Sequence, residues 1–198
     1  MTIEHILQNL KRELIRTFAT LDEWFDKHGS LHRFKPADGG WCIAEILEHL
    51  HLTNHYLLML IEKGQQKALR KMDHHALQTR LENYTLAVPG LLEIAEHKSF
   101  DWNRPEHHSP TGEKPLEEIR FILRDHLYRC LYVLECLPNG EGVLHDTTMT
   151  VNNLGRLDVY QYLYFLSLHI KRHKTQLEKI ELEYCGSTIA DGILNDTP

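Results

Sequence analysis

Histidine is the residue type in this chain best supplied for chemistry, with 15 copies in 198 residues, and it is the commonest metal ligand among side chains. His169 and His173 stand four apart in SLHIKRHKTQL. On a helix their imidazoles rise from adjacent turns of one face. At 100° per residue, both fall within roughly 80° of the centre of that segment's apolar stripe. Two inward imidazoles one turn apart suit a single metal ion. The plainer alternative is two histidines held by hydrogen bonds at the edge of the core, and a third ligand from another element would separate the two readings.

That third ligand has candidates in EHLHLTNH, which supplies His49, His51 and His55. The angular count puts His51 nearer the apolar stripe than His49, yet both are flank positions, so periodicity does not choose between them. His55 lies further round, toward solvent. Asn54 falls near the middle of the stripe, as a buried polar group able to support the site from behind its ligands. His126 is mid-helix and a further candidate for facing the site. His74-His75 and His107-His108 lie in loop-like segments and are expected to be exposed, and His5, His28, His32, His97 and His145 show no partner pattern.

Rival chemistries fare worse. A carboxylate-bridged di-iron site needs a Glu-x-x-His pair on each of two helices, and Glu48-x-x-His51 is the one match here. HIKRH lacks the glutamate that serves as general base in an H-E-x-x-H helix. Cys42, Cys130, Cys136 and Cys185 form no C-x-x-C pair and no Cys-His arrangement of a known kind, and they read as buried reduced thiols.

The elements that must position these residues are helical. Ile3, Leu7, Leu10, Leu14, Phe18, Leu21 and Phe25 recur at three- and four-residue steps, which predicts a helix over about 2–27 with Thr2 as N-cap and Gly29-Ser30 beyond its end. A second helix is expected over 43–63, with Gly64 just past it in the usual place of a C-terminal glycine. Between 65 and 114 the pattern weakens; 76–88 could be helical before Pro89-Gly90, and SFDWNRPEHHSPTGEKP reads as a surface loop. A third helix is expected from Pro115 to 137, with Leu116, Ile119, Leu123, Leu127, Leu131 and Leu134 inward and Pro138-Asn139-Gly140 as its stop. VLHDTTMTV alternates weakly and suggests a short extended piece. The last helix, 158–184, is the best marked: Asp158 and Gln161 make a capping box, with Leu157 and Tyr162 at the staple positions. The tail after Gly186 is polar and expected to fray.

Four long amphipathic helices predict an all-α bundle in one domain spanning 1–198, with connections too long for the simplest up-down design. The composition agrees: 42% hydrophobic and 25% charged residues suit one core. A net charge of −6, with bases interspersed among acids, argues against nucleic acid and anionic membranes as partners. No apolar run approaches the roughly 20 residues of a membrane span. MTIEHILQNLKREL has no apolar h-region, so the expected compartment is the cytoplasm.

GGWCIAEILEHL (Gly39 to Leu50) and LGRLDVYQYLYFLSLHIKRHKTQL (Leu154 to Leu177) resemble the DinB/YfiT-like family. The resemblance implies a four-helix bundle with a long crossover connection. It also implies a divalent metal held by three histidines, which fall here on His49, His169 and His173, with the family's tryptophan on Trp41 and its trailing glutamine on Gln176. In this reading the choice falls on His49 over His51. Where the family has Ser or Thr after the tryptophan, this chain has Cys42, while Glu45 keeps the capping-box partner position and predicts a weaker cap. Three imidazoles leave coordination positions open, the catalytic arrangement, with Asn54, His51 and His126 as candidate supporting groups. Zinc, nickel, iron or manganese would fit such a site. Relatives include thiol-dependent transferases that use bacillithiol, mycothiol or glutathione. The expected function is therefore an S-transferase acting on small electrophiles, through a metal-bound thiol. The alternatives are a hydrolase using metal-bound water, or a non-catalytic metal-binding bundle acting through dimerisation. The resemblance further implies a homodimer, for which Tyr160 and Tyr164 look like exposed aromatics.

Overall fold

The computed structural model describes residues 2–96, 109–149 and 154–195. It is mostly helical: α1 (Ile3–Asp22), α2 (Gly29–Arg33), α3 (Ile43–Arg70), α4 (His74–Leu81), α5 (Leu116–Cys136) and α6 (Val159–Asn195). Strands β1 (Asp146–Met149) and β2 (Gly155–Asp158) pair antiparallel, with Asp146 opposite Asp158 and Met149 opposite Gly155. The weakly alternating segment therefore contributes one strand of a small antiparallel pair, and its last two residues, Thr150 and Val151, lie outside the described residues. No helix among the described residues is long and apolar enough to cross a membrane.

The long helices form where the apolar periodicity places them, and their ends follow local chemistry. The Thr2 side chain accepts from His5 N and opens α1. Cys42 N donates to Glu45 Oε2 at 2.8 Å and the Cys42 side chain accepts from Glu45 N, so both halves of the capping box are present at the start of α3. Asp158 Oδ1 accepts from Tyr160 N and Gln161 N, while Gln161 Oε1 accepts from Asp158 N, and α6 starts there.

Several boundaries differ from expectation. Gly29-Ser30 opens the short helix α2, with the His28 side chain accepting from Ser30 N as its cap. α3 runs through Gly64 to Arg70 instead of stopping at 63. Gly64 is buried because α6 passes close by; a Cβ there would stand 3.1 Å from Val159 Cγ2. The glycine serves a close helix crossing, not a helix end. α6 likewise continues through Gly186 to Asn195. In the middle segment the helix stops at Leu81, well short of 88, and a single 3₁₀ turn follows at Leu92–Ala95.

α3 packs against α5 and α6, and α1 packs against the same two helices. Side-chain pairs set the directions. Lys11 meets Glu135 and Asp22 meets Arg120, so α1 and α5 are antiparallel. Glu48 meets Thr111 just ahead of α5 and Glu62 meets Arg129, so α3 and α5 are parallel. The connection between those two helices must therefore return the length of α3. The core between the helices includes Leu10, Leu14, Ile43, Leu47, Leu50, Leu58, Val133, Leu163 and Leu166, each at most 1% exposed. Each such burial is worth about 1.5–3 kcal/mol. On α5 the inward residues are Ile119, Leu123, His126, Cys130, Val133 and Leu134, so His126 and Cys130 are buried in the core where the leucine periodicity predicts Leu127 and Leu131. Tyr160 is wholly buried, with its hydroxyl donating to Leu137 O at 2.6 Å, and Tyr164 is half-buried. Neither is an exposed aromatic, so their support for a dimer falls away.

Candidate metal centre

His49 enters from the second turn of α3, and His169 and His173 from adjacent turns of α6. All three are buried, at 6%, 2% and 5% exposure. Their ligand atoms lie within 4.8 Å of one another, so the cluster could hold a metal ion. The two α6 rings stand at 85° to each other, with Nε2 facing Nε2 at 3.1 Å. Two nitrogens bound to one tetrahedral ion at about 2.1 Å stand ~3.4 Å apart, so this spacing suits a shared ion.

Neighbouring groups fix the rings. His173 Nδ1 lies 2.6 Å from Gln176 Oε1. An amide oxygen only accepts, so Nδ1 carries the proton and Nε2 presents its lone pair inward. Phe165, one turn before His169, stacks parallel to its ring at 6.3 Å. Trp41 covers His49 with ring centroids 4.8 Å apart, and Thr53 Oγ1 lies 3.5 Å from His49 Nε2. Thr53 and Phe165 were not anticipated from the sequence. Their signal was the i, i+4 spacing to His49 and His169.

The remaining candidates are placed differently. His51 and His126 stack on each other, centroids 5.8 Å apart, between α3 and α5 and not at the triad. His55 is exposed, as expected, and Asn54 is fully buried. Glu48, the acid of the di-iron-like match, accepts from Thr111 N, Thr111 Oγ1 and Gly112 N, which ties the approach to α5 onto α3. His74 and His75 are exposed; His97, His107 and His108 lie outside the described residues.

A cavity of about 260 Å³ adjoins the triad across Trp41 and Gln176, and its wall also carries Asp38, Lys179, Ile180 and Glu183. Burial raises the pKa of the Cys42 thiol and pushes Cys130 up to about 12, so both are protonated at neutral pH and poor nucleophiles. Cys185 is exposed, contrary to the expectation of buried thiols throughout. In comparisons with known proteins, no family model, curated protein or solved structure matches the chain.

Proposed function

We propose that the protein is a divalent-metal-dependent enzyme that uses His49, His169 and His173 to hold its ion. On this reading it transfers a small cytosolic thiol, of bacillithiol or glutathione type, to an electrophilic substrate. The reading also takes the four long helices as a four-helix bundle with a long crossover connection, the DinB/YfiT-like arrangement that Gly39–Leu50 and Leu154–Leu177 resemble, and with it a homodimer. The observation that carries the proposal is the convergence of three buried imidazoles from two helices beside an open cavity.

The donor set fits the group. Three neutral nitrogens suit zinc, nickel or iron and leave coordination positions for a substrate. A bound ion would lower the pKa of a thiol placed on it. Gln176 holds the proton of His173 away from the ion-facing nitrogen, while Trp41 and Phe165 screen the rings of His49 and His169 from water. Cys42 and Cys130 are protonated, which favours a sulfur nucleophile brought in from solution over one of the chain's own. Lys179, Asp38 and Glu183 give the cavity both charge signs, suited to a polar cosubstrate.

The test compares the wild type with a His49→Ala/His173→Ala double variant by elemental analysis, then by turnover of small electrophiles with and without added thiol. The variant is expected to lose one divalent ion per chain, keep its helical spectrum and lose thiol-dependent turnover. Equal ion content in both proteins would refute the site. Turnover that ignores thiol would turn the reading to a hydrolase, and turnover with neither would turn it to a non-catalytic metal-binding bundle.

A further inference from the structure

A second histidine cluster repeats the construction of the first. His51 and His55 stand i, i+4 on α3, and His126 reaches them from α5, with ring centroids 5.8 Å from His51 and 6.4 Å from His55. The triad is built the same way, from an i, i+4 pair on one helix and a single imidazole from its neighbour. The two clusters lie on opposite flanks of α3, one toward α6 and one toward α5.

His126 is wholly buried, and neither of its ring nitrogens has a hydrogen-bond partner among the described residues. The same holds for Nδ1 of His51. Leaving a buried polar group unpaired is costly, and a neutral imidazole has one nitrogen that donates and one that accepts. A leucine would fill this core position at no such cost. The cluster grades from the buried His126 through the half-buried His51 to the exposed His55, which gives an ion a route in from solvent. Positive charge nearby is already compensated: Lys114 pairs with Glu118 at 2.6 Å and Arg129 with Glu62 at 2.7 Å.

We propose that His51, His55 and His126 form a second site for a divalent transition metal ion, separate from His49, His169 and His173. The rings stand wider apart than the 4.6–5.6 Å of the triad. Binding therefore turns the two α3 rings inward about their soft terminal torsions, and satisfies the lone pair that His126 holds buried. Imidazole donors select zinc, nickel or copper over magnesium or calcium.

Zinc per chain, measured after equilibrium dialysis on four full-length proteins, tests this: the wild type, His55→Ala, His126→Gln and His49→Ala. His55 is exposed, so its substitution leaves the packing intact. The wild type is expected to hold two ions, and His55→Ala is expected to lose the one that His49→Ala keeps. His126→Gln should match His55→Ala in zinc content. An unchanged zinc content in His55→Ala, including zinc held only by exposed histidines such as His74 and His75, would overturn the proposal. So would a wild type whose whole zinc content disappears with His49. One ion lost in His55→Ala but retained in His49→Ala, with no loss elsewhere, would sustain this site while removing the triad.

Discussion

The hydrogen bond from His173 to Gln176 does more for the triad than its one contact suggests. It fixes which nitrogen of His173 holds the proton and which faces the other two rings. Gln176→Leu keeps the volume and removes the acceptor, so the ring is free to rotate and to change tautomer. The variant is expected to bind zinc about 10- to 100-fold more weakly with its helical spectrum unchanged, as read by competition with a chelator. Unaltered affinity would show that packing alone orients the ring. The pair on α6 was legible from spacing, because a four-residue step on a helix leaves little freedom. The third member was not. His49 and His51 both sit on flanks of the α3 stripe, and periodicity locates the stripe without saying which neighbour covers each flank. α6 covers the His49 side and α5 the His51 side, which is tertiary information. His126 escaped for a related reason. A leucine-based stripe through Leu127 and Leu131 was nearly as regular as the one through His126 and Cys130 that is actually buried.

At the scale of elements, α6 shows what a stripe leaves out. Its residues from Val159 to Phe165 are buried, Tyr164 only in part, because β2, α3 and the turn at Leu92–Ala95 also pack against it. A helix covered on most sides has a weak amphipathic signature, so its start was marked by chemistry and not by periodicity. That start carries a cost. Asp158 is 3% exposed, and burial pushes its carboxyl up to about 6, against the three hydrogen bonds from Tyr84, Tyr160 and Gln161 that favour the charged form. Its folded pKa lies above the ordinary 3.8, so the folded protein binds more protons than the unfolded chain between these values. Stability on this account falls as pH rises from about 4 to about 6, and the penalty is complete above that. Asparagine caps as well as aspartate and keeps the accepting oxygen. Asp158→Asn is therefore expected to flatten this part of the pH-stability curve, and to be more stable than the wild type at pH 7 in urea denaturation. A decline of the same size in the variant would assign the slope to another group.

For the whole molecule, the decisive feature is that α1 and α3 each touch both α5 and α6, so no helix pair stands alone. Apolar patterning could supply the faces but not this closure, since the parallel run of α3 and α5 depends on a connection whose own sequence is weakly patterned. The closure between α1 and α5 has an ionic clasp. Arg120 donates to both Asp22 and Asp26, and Arg124 donates to Asp22 as well. Surface pairs of this kind contribute little one at a time. Here two guanidiniums share one carboxylate and hold the Asp22 pKa down at about 2, with the hydrogen bond from Arg120 the leading cause. The sign is opposite to that of Asp158. The folded pKa lies below the ordinary 3.8, so the unfolded chain binds more protons in this range. The contribution is fully present above about pH 4 and is lost as pH falls toward 2. The two windows do not overlap, so each carboxyl can be read separately on one curve. Asp22→Asn is expected to lower stability at pH 5, where the clasp is intact in the wild type, and to converge with the wild type near pH 2. The Asp158→Asn variant should keep the wild-type acid limb. Parallel curves for Asp22→Asn and the wild type from pH 5 to pH 2 would mean that apolar packing alone holds α1 against α5.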